Sequence, residues 1–194
     1  MKEAIIVALV LAALGSWLAI RARAQSPQPH DQSTGSTKSA ADAGRSLRLM
    51  MLTTPAAKTG EKPTKEFPRI YGILMDWPIG EQIATVLSTS TGAASLYTTS
   101  TFGIIGGEGH EAVRTAAMSF VRAADRFFDA STPASEYPYP TAERVRFYFL
   151  TFDGVRVIDT DLASIGNGTS KYAALFGLGQ EVLSQLRLIT EKRQ

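Results

Sequence analysis

The chain has 194 residues, two histidines and no cysteine, and its 20 Lys/Arg stand against 18 Asp/Glu. The charge is unevenly placed: residues 1–68 hold nine Lys/Arg against five Asp/Glu, and residues 69–194 hold eleven against thirteen. A mildly acidic C-terminal region is a poor match for a phosphate backbone, which argues against nucleic acid as a partner. The missing cysteines exclude disulfides, thiol catalysis and thiolate metal sites.

Residues Ala4 to Ile20 carry no charge and are followed by Arg21 and Arg23. As a helix they would reach roughly 25 Å, the lower end of what a bilayer core requires. Residues 1–24 are therefore expected to reach a membrane, as a single-pass anchor or as an export signal. Ala22-Arg23-Ala24 is a candidate cleavage site, but the arginines beside it argue against cleavage. Arg21 and Arg23 also favour retention of that flank on the inner side, which leans towards an anchored protein with a cytoplasmic domain. The alternative is a cleaved signal and a periplasmic product.

Residues 25–68 are expected to form a linker. Gln25 to about Ala43 is rich in Ser, Thr, Gln, Pro, Gly and Ala and offers little to bury. Within the linker, residues 45–52 (RSLRLMML) are expected to form a short helix that docks on the domain or lies along the membrane. Three prolines and alternating Lys/Glu mark Thr53 to Pro68 as a second loop. The globular unit is then residues 69–194, long enough for one core.

In this unit, Ile70 to Trp77, Gln82 to Ser90 and Ala94 to Thr99 read as three strands of a meander, with Pro78-Ile79-Gly80 as the first turn. After the glycines of residues 102–109, Val113, Ala117, Phe120, Ala124 and Phe127 recur at steps of four and three and mark a helix buried on one face. Ser131 to Pro140 holds three prolines and is expected to be a loop. Arg144 to Phe152 and Val155 to Asp161 read as a hairpin turning at Asp153-Gly154, which would set Arg146 opposite Asp161. Both of its faces are apolar, so each requires a cover. The helical period after Gly168, carrying Tyr172, Leu175, Phe176, Gly179, Val182, Leu183, Leu186 and Ile189, supplies a second helix that can cover the other face or share one. The expected fold is α+β, in the order βββαββα: an antiparallel sheet of about five strands covered by two helices.

This order loosely resembles the profilin, longin and roadblock scaffolds. At residue level, Arg69 to Met75, Ala94 to Tyr97, Gly103 to Gly107 with His110, and Val145 to Tyr148 through Phe152-Asp153-Gly154 resemble a family of uncharacterised bacterial proteins. The resemblance spans residues 69–160. It implies a bacterial source and supplies no activity.

No catalytic constellation is recognisable, and neither a cofactor nor a metal is implied. His30 falls in the linker, and His110-Glu111 has Arg114 where a zincin helix needs its second histidine. Gly166 to Lys171 lacks the Gly-Lys-Ser/Thr order of a phosphate loop and reads as a turn plus a helix cap. The strongest local candidate is the loop Gly103 to His110, where a glycine-rich segment enters a helix. Gly106, Gly107, Gly109 and His110 are its expected ligand contacts, since bare backbone admits close approach and first-turn amides attract anions. Arg146 or Tyr148 would complete such a site. Against it stands a non-catalytic, membrane-tethered interaction module that presents a sheet edge or helix face to an unknown protein or to a second copy.

Overall fold

The computed structural model describes residues 33–100 and 103–191, with side chains from residue 41 onward. The apolar segment 4–20 and the first part of the expected linker lie outside the described residues. Among those described, no helix is long and apolar enough to cross a membrane.

The protein is α+β, built on one antiparallel sheet of seven strands, so the expected count of five was too low. The strands are β1 (Ile70–Ile79), β2 (Gln82–Thr89), β3 (Ala94–Thr98), β4 (Gly103–Ile105), β5 (Thr132–Pro133), β6 (Arg144–Thr151) and β7 (Gly154–Asp161), ordered β4-β3-β2-β1-β6-β7-β5. The two additional strands are short edges. β4 comes from the glycine-rich segment, and β5 comes from the proline loop, where Thr132 pairs with Val157. Neither could be recognised from periodicity, because three and two residues are too few to show one. The meander itself is present, but its first turn falls later than expected. Pro78 and Ile79 remain in β1, and Gly80 takes the positive φ of 59°.

Among the described residues, five helices pack on the sheet: α1 (Ser33–Thr53), α2 (Ala56–Thr59), α3 (Glu111–Ala124), α4 (Leu162–Gly166) and α5 (Ala173–Glu191), with a 3-10 turn at Asp125–Ala130. α3 and α5 share one face of the sheet. Val113, Ala117, Phe120 and Ala124 of α3 are fully buried there with Ile73, Met75, Val145, Phe147 and Phe149 of the strands. Gly179 lets α5 come close, since a Cβ at that position would lie 2.5 Å from Met75 Cε and 3.1 Å from Phe120 Cζ.

The opposite face is covered by the segment expected to be a linker. The short helix expected at 45–52 lies inside α1, which begins at Ser33. From residue 41 onward its buried positions are Ala41, Gly44, Arg48 and Leu52, at helical spacing. Gly44 lies against β3, where an added Cβ would be in ordinary contact with Tyr97 Cβ at 3.4 Å. Beneath α1 and α2, Leu52 and Ala56 join Tyr71, Leu74, Leu87, Tyr97, Tyr148 and Leu150 in a second apolar cluster. β1, buried on both faces, accordingly reads as a nearly continuous apolar run.

The β6–β7 hairpin forms with the expected faces but a different register. Arg146 pairs with Asp159, not Asp161, and Tyr148 with Val157. A primed turn at Asp153-Gly154 would need positive φ at both residues. Only Gly154 has it, at 126°, so the loop falls on Phe152 and Asp153. The shift is by two residues, an even number, which leaves every side chain on its face. Asp161 instead caps α4, accepting a hydrogen bond from the Ser164 amide at 2.6 Å.

Candidate functional site

The loop between β4 and α3 is closed by packing. Gly106 takes a φ of 72° as the chain leaves the edge strand. Gly107 is buried, and a Cβ there would stand 2.5 Å from Val113 Cγ1 and 3.0 Å from Leu186 Cδ2, so its role is to let the loop seat between α3 and α5. Gly109 has open space around its Cβ position, and His110 is the N-cap residue of α3 without a side-chain capping bond. Arg114 turns back to donate to the Glu108 carbonyl at 2.9 Å.

The four expected contacts are thus contiguous, but the structure does not bring Arg146 or Tyr148 to them. β4 is a sheet edge with β3, β2 and β1 between it and β6, and Tyr148 lies on the α1 face while Gly107 meets the helix layer. Replacing Gly107 with Val is expected to lower stability by about 1–3 kcal/mol by overpacking against Val113. Gly109→Ala, with free space and no positive φ, should stay within about 0.5 kcal/mol. Urea midpoints compare the two. Equal midpoints would mean that the seat at Gly107 is not what holds the loop.

The chemically unusual place in the molecule is on the other face. Asp76, in the middle of β1, is fully buried, and the Arg48 side chain reaching it from α1 is 4% exposed. Arg48 Nε donates to Asp76 Oδ2 at 3.0 Å, and its Nη2 donates to the same oxygen. Thr85 Oγ1 donates to Asp76 Oδ1 at 2.6 Å, and Arg48 Nη1 reaches the Tyr137 carbonyl at 3.0 Å. Tyr139 stacks on the guanidinium, 4.2 Å from ring centre to Cζ, with the Tyr148 ring 5.3 Å away. Strand register extends this into a transverse row, since Thr85 lies beside Asp76, Asp76 beside Arg146 and Arg146 beside Asp159. Arg146 donates to Asp159 at 2.7 Å and to the carbonyls of Pro138 and Tyr139 at 2.9 and 3.1 Å. The loop holding Tyr137 to Tyr139 is therefore tied down by both arginines, and by the Tyr148 hydroxyl donating to Pro138.

Burial pushes the Asp76 carboxyl above its ordinary range, opposed by the charge and hydrogen bonds of Arg48, the Thr85 hydroxyl and the charge of Arg146. Burial also disfavours charge on Arg48, but Asp76 outweighs it and holds the guanidinium above its ordinary value. Desolvation raises the Tyr139 and Tyr148 phenols. Both Asp76 oxygens are engaged from within, so the carboxylate has no face open to a substrate. The chemistry of this cluster is that of a fastener joining α1, the sheet and the 137–139 loop. Sequence reading missed it, although each half left a signal: Asp76 interrupts the apolar run Ile70 to Trp77, and Arg48 interrupts the apolar positions of 47–52. A charge inside a buried run requires a partner, but sequence does not reveal which.

Among the described residues, no group of three or more His, Asp or Glu side chains is placed to hold a metal ion. No protein-family model, curated protein or solved structure matches this chain.

Proposed function

We propose that this protein is a membrane-tethered, non-catalytic interaction module of bacterial type, whose sheet domain is fixed in place relative to its tether by helix α1. The observation that carries this reading is the buried Arg48–Asp76 pair. It fastens the helix that follows the apolar segment onto the domain, where a passive linker would need no such contact. With residues 4–20 in a bilayer, the twelve residues before Ser33 can span at most about 40 Å, so the domain works close to the lipid surface. The domain faces the cytoplasm, and its partner is another protein or a second copy. The likeness to profilin, longin and roadblock scaffolds belongs to this proposal only as an antiparallel sheet with a helical layer, since four strands precede the long helix α3 here.

Carbonate extraction of membranes from the expressing cell tests the tether, and deletion of residues 4–20 should release the chain into the soluble fraction. N-terminal sequencing should find the first twenty residues retained, and a C-terminal reporter should be active on the cytoplasmic side. An N-terminus at Gln25, or a reporter active only outside, would refute the anchored cytoplasmic reading.

A further inference from the structure

We infer that Arg48 and Arg146 form a relay that makes residues 131–140 a strap whose grip depends on α1. When α1 lifts Arg48 off Asp76, Arg146 turns inward to that carboxylate, lets go of the strap and uncovers the outer edge of β7. The relay is a property of this chain alone; its use, offering a strand edge to a partner, rests on the interaction-module reading above. The strap has few attachments. At its start Thr132 and Pro133 lie along Val157 and Arg156 of β7, and the Ala134 amide donates to the Val155 carbonyl at 2.9 Å. Pro133 has no N–H to add. Among the described residues, no backbone–backbone hydrogen bond holds residues 135–140. Side chains hold them instead: Arg48 on the Tyr137 carbonyl and against the Tyr139 ring, Arg146 on the carbonyls of Pro138 and Tyr139, and Tyr148 on that of Pro138 and edge-on to the Tyr137 ring.

The reason Arg146 moves lies in what each contact would lose. Asp76 and Arg146 are cross-strand partners, so their side chains share the α1 face. The Asp76 side chain is 0% exposed, and water cannot replace Arg48 there; a buried carboxylate left without its partner is strongly unfavourable. The charge of Arg146 already bears on it. Arg146, by contrast, is 21% exposed, and the Pro138 and Tyr139 carbonyls it leaves can turn to water. Asp159 is not stranded either, because Arg144 Nε holds its other oxygen at 2.5 Å. The balance draws Arg146 inward, and the strap loses both arginines when only one has been withdrawn. Without the strap, Val155 to Val157 carry unpaired ladder groups on their outer side, the state in which a sheet edge accepts another strand.

The chain has no cysteine, so Glu136→Cys, exposed in the strap, can carry a nitroxide spin label in the full-length protein, with exposed Ala174→Cys on α5 as the reference. Arg48→Met should raise the rotational mobility of the label at 136 several-fold and leave that at 174 unchanged, and hydrogen exchange across residues 153–161 should quicken with it. Arg146→Met should free the label to a similar extent with α1 still docked. Arg48→Met combined with Asp76→Leu decides the mechanism. No carboxylate then draws Arg146 inward, so the label should return most of the way to its original mobility. If Arg48→Met does not fold, Arg48→Gln, which is neutral and keeps a donor, carries the same expectations. A strap that stays immobile when Arg48 is replaced overturns the coupling. One equally mobile with and without Asp76→Leu overturns the relay and leaves the direct contacts of Arg48 as the hold. A loosened strap beside unchanged exchange in β7 overturns the uncovering of that edge, and each of these failures leaves the interaction-module reading standing.

Discussion

Arg48→Met should lower the unfolding free energy by about 3–5 kcal/mol, because it leaves the Asp76 carboxyl buried without its ionic partner. The chain has two tryptophans, Trp17 in the apolar segment and the buried Trp77, so a Trp17→Phe background makes Trp77 the reporter of urea unfolding. The loss should depend on pH with a definite sign. In the variant, only the Thr85 hydroxyl and the Arg146 charge still oppose burial at Asp76, so its folded-state pKa rises further above the unfolded value of about 3.9. A group whose pKa is raised by folding contributes its full stability below the unfolded pKa and loses it as pH climbs through the folded one. The deficit of Arg48→Met should accordingly be smaller near pH 5 than at pH 8. Adding Asp76→Leu removes the stranded carboxyl and should recover most of the loss, since apolar replacements of buried ion pairs are often neutral or better. If the single variant loses under about 1 kcal/mol, the typical effect of an exposed ion pair, the fastener has no energetic content. Hydrogen exchange gives a second readout: amides of α1 should lose protection before those of β1 and β6.

Phe120→Ala is the other large effect, expected at about 3–5 kcal/mol. Phe120 is fully buried at the centre of the α3 stripe, within the cluster shared with α5 and the sheet. A change of this size is a substantial part of the net stability of an ordinary domain, about 5–15 kcal/mol. It should move the urea midpoint and leave the slope nearly unchanged. Its neighbour across the interface provides an internal check. Gly179→Ala would press on both Met75 and Phe120, so its own deficit should shrink in the Phe120→Ala background, where part of that space is vacated. Simple additivity of the two would mean that α3 and α5 do not meet at this point. Phe127→Ala, at the partly buried end of the stripe, should have the smaller effect of the two phenylalanines.

The amino-acid sequence by itself determined the elements whose side chains repeat. The α3 stripe, the buried positions of α5, the three-strand meander and the two faces of the β6–β7 hairpin all follow from periods of 3.6 and 2. Those periods survive any tertiary arrangement that buries one face. Tertiary structure alone decided the rest. The register moved by two residues because φ at Asp153, set by local sterics, refused the primed turn, while face alternation is blind to even shifts. Segment 33–53 became a covering helix because Ala41 and Gly44, uninformative in composition, fall with Arg48 and Leu52 on one face that the sheet buries. The loop at Gly106 to His110 was legible as a turn, but its closure depends on Leu186, some eighty residues away. The Arg48–Asp76 pair was the least legible feature. Each charge was visible as an anomaly in an apolar run, but their meeting depends on α1 packing on this face of the sheet so that the Arg48 side chain reaches β1, which is a property of the whole fold and not of either segment.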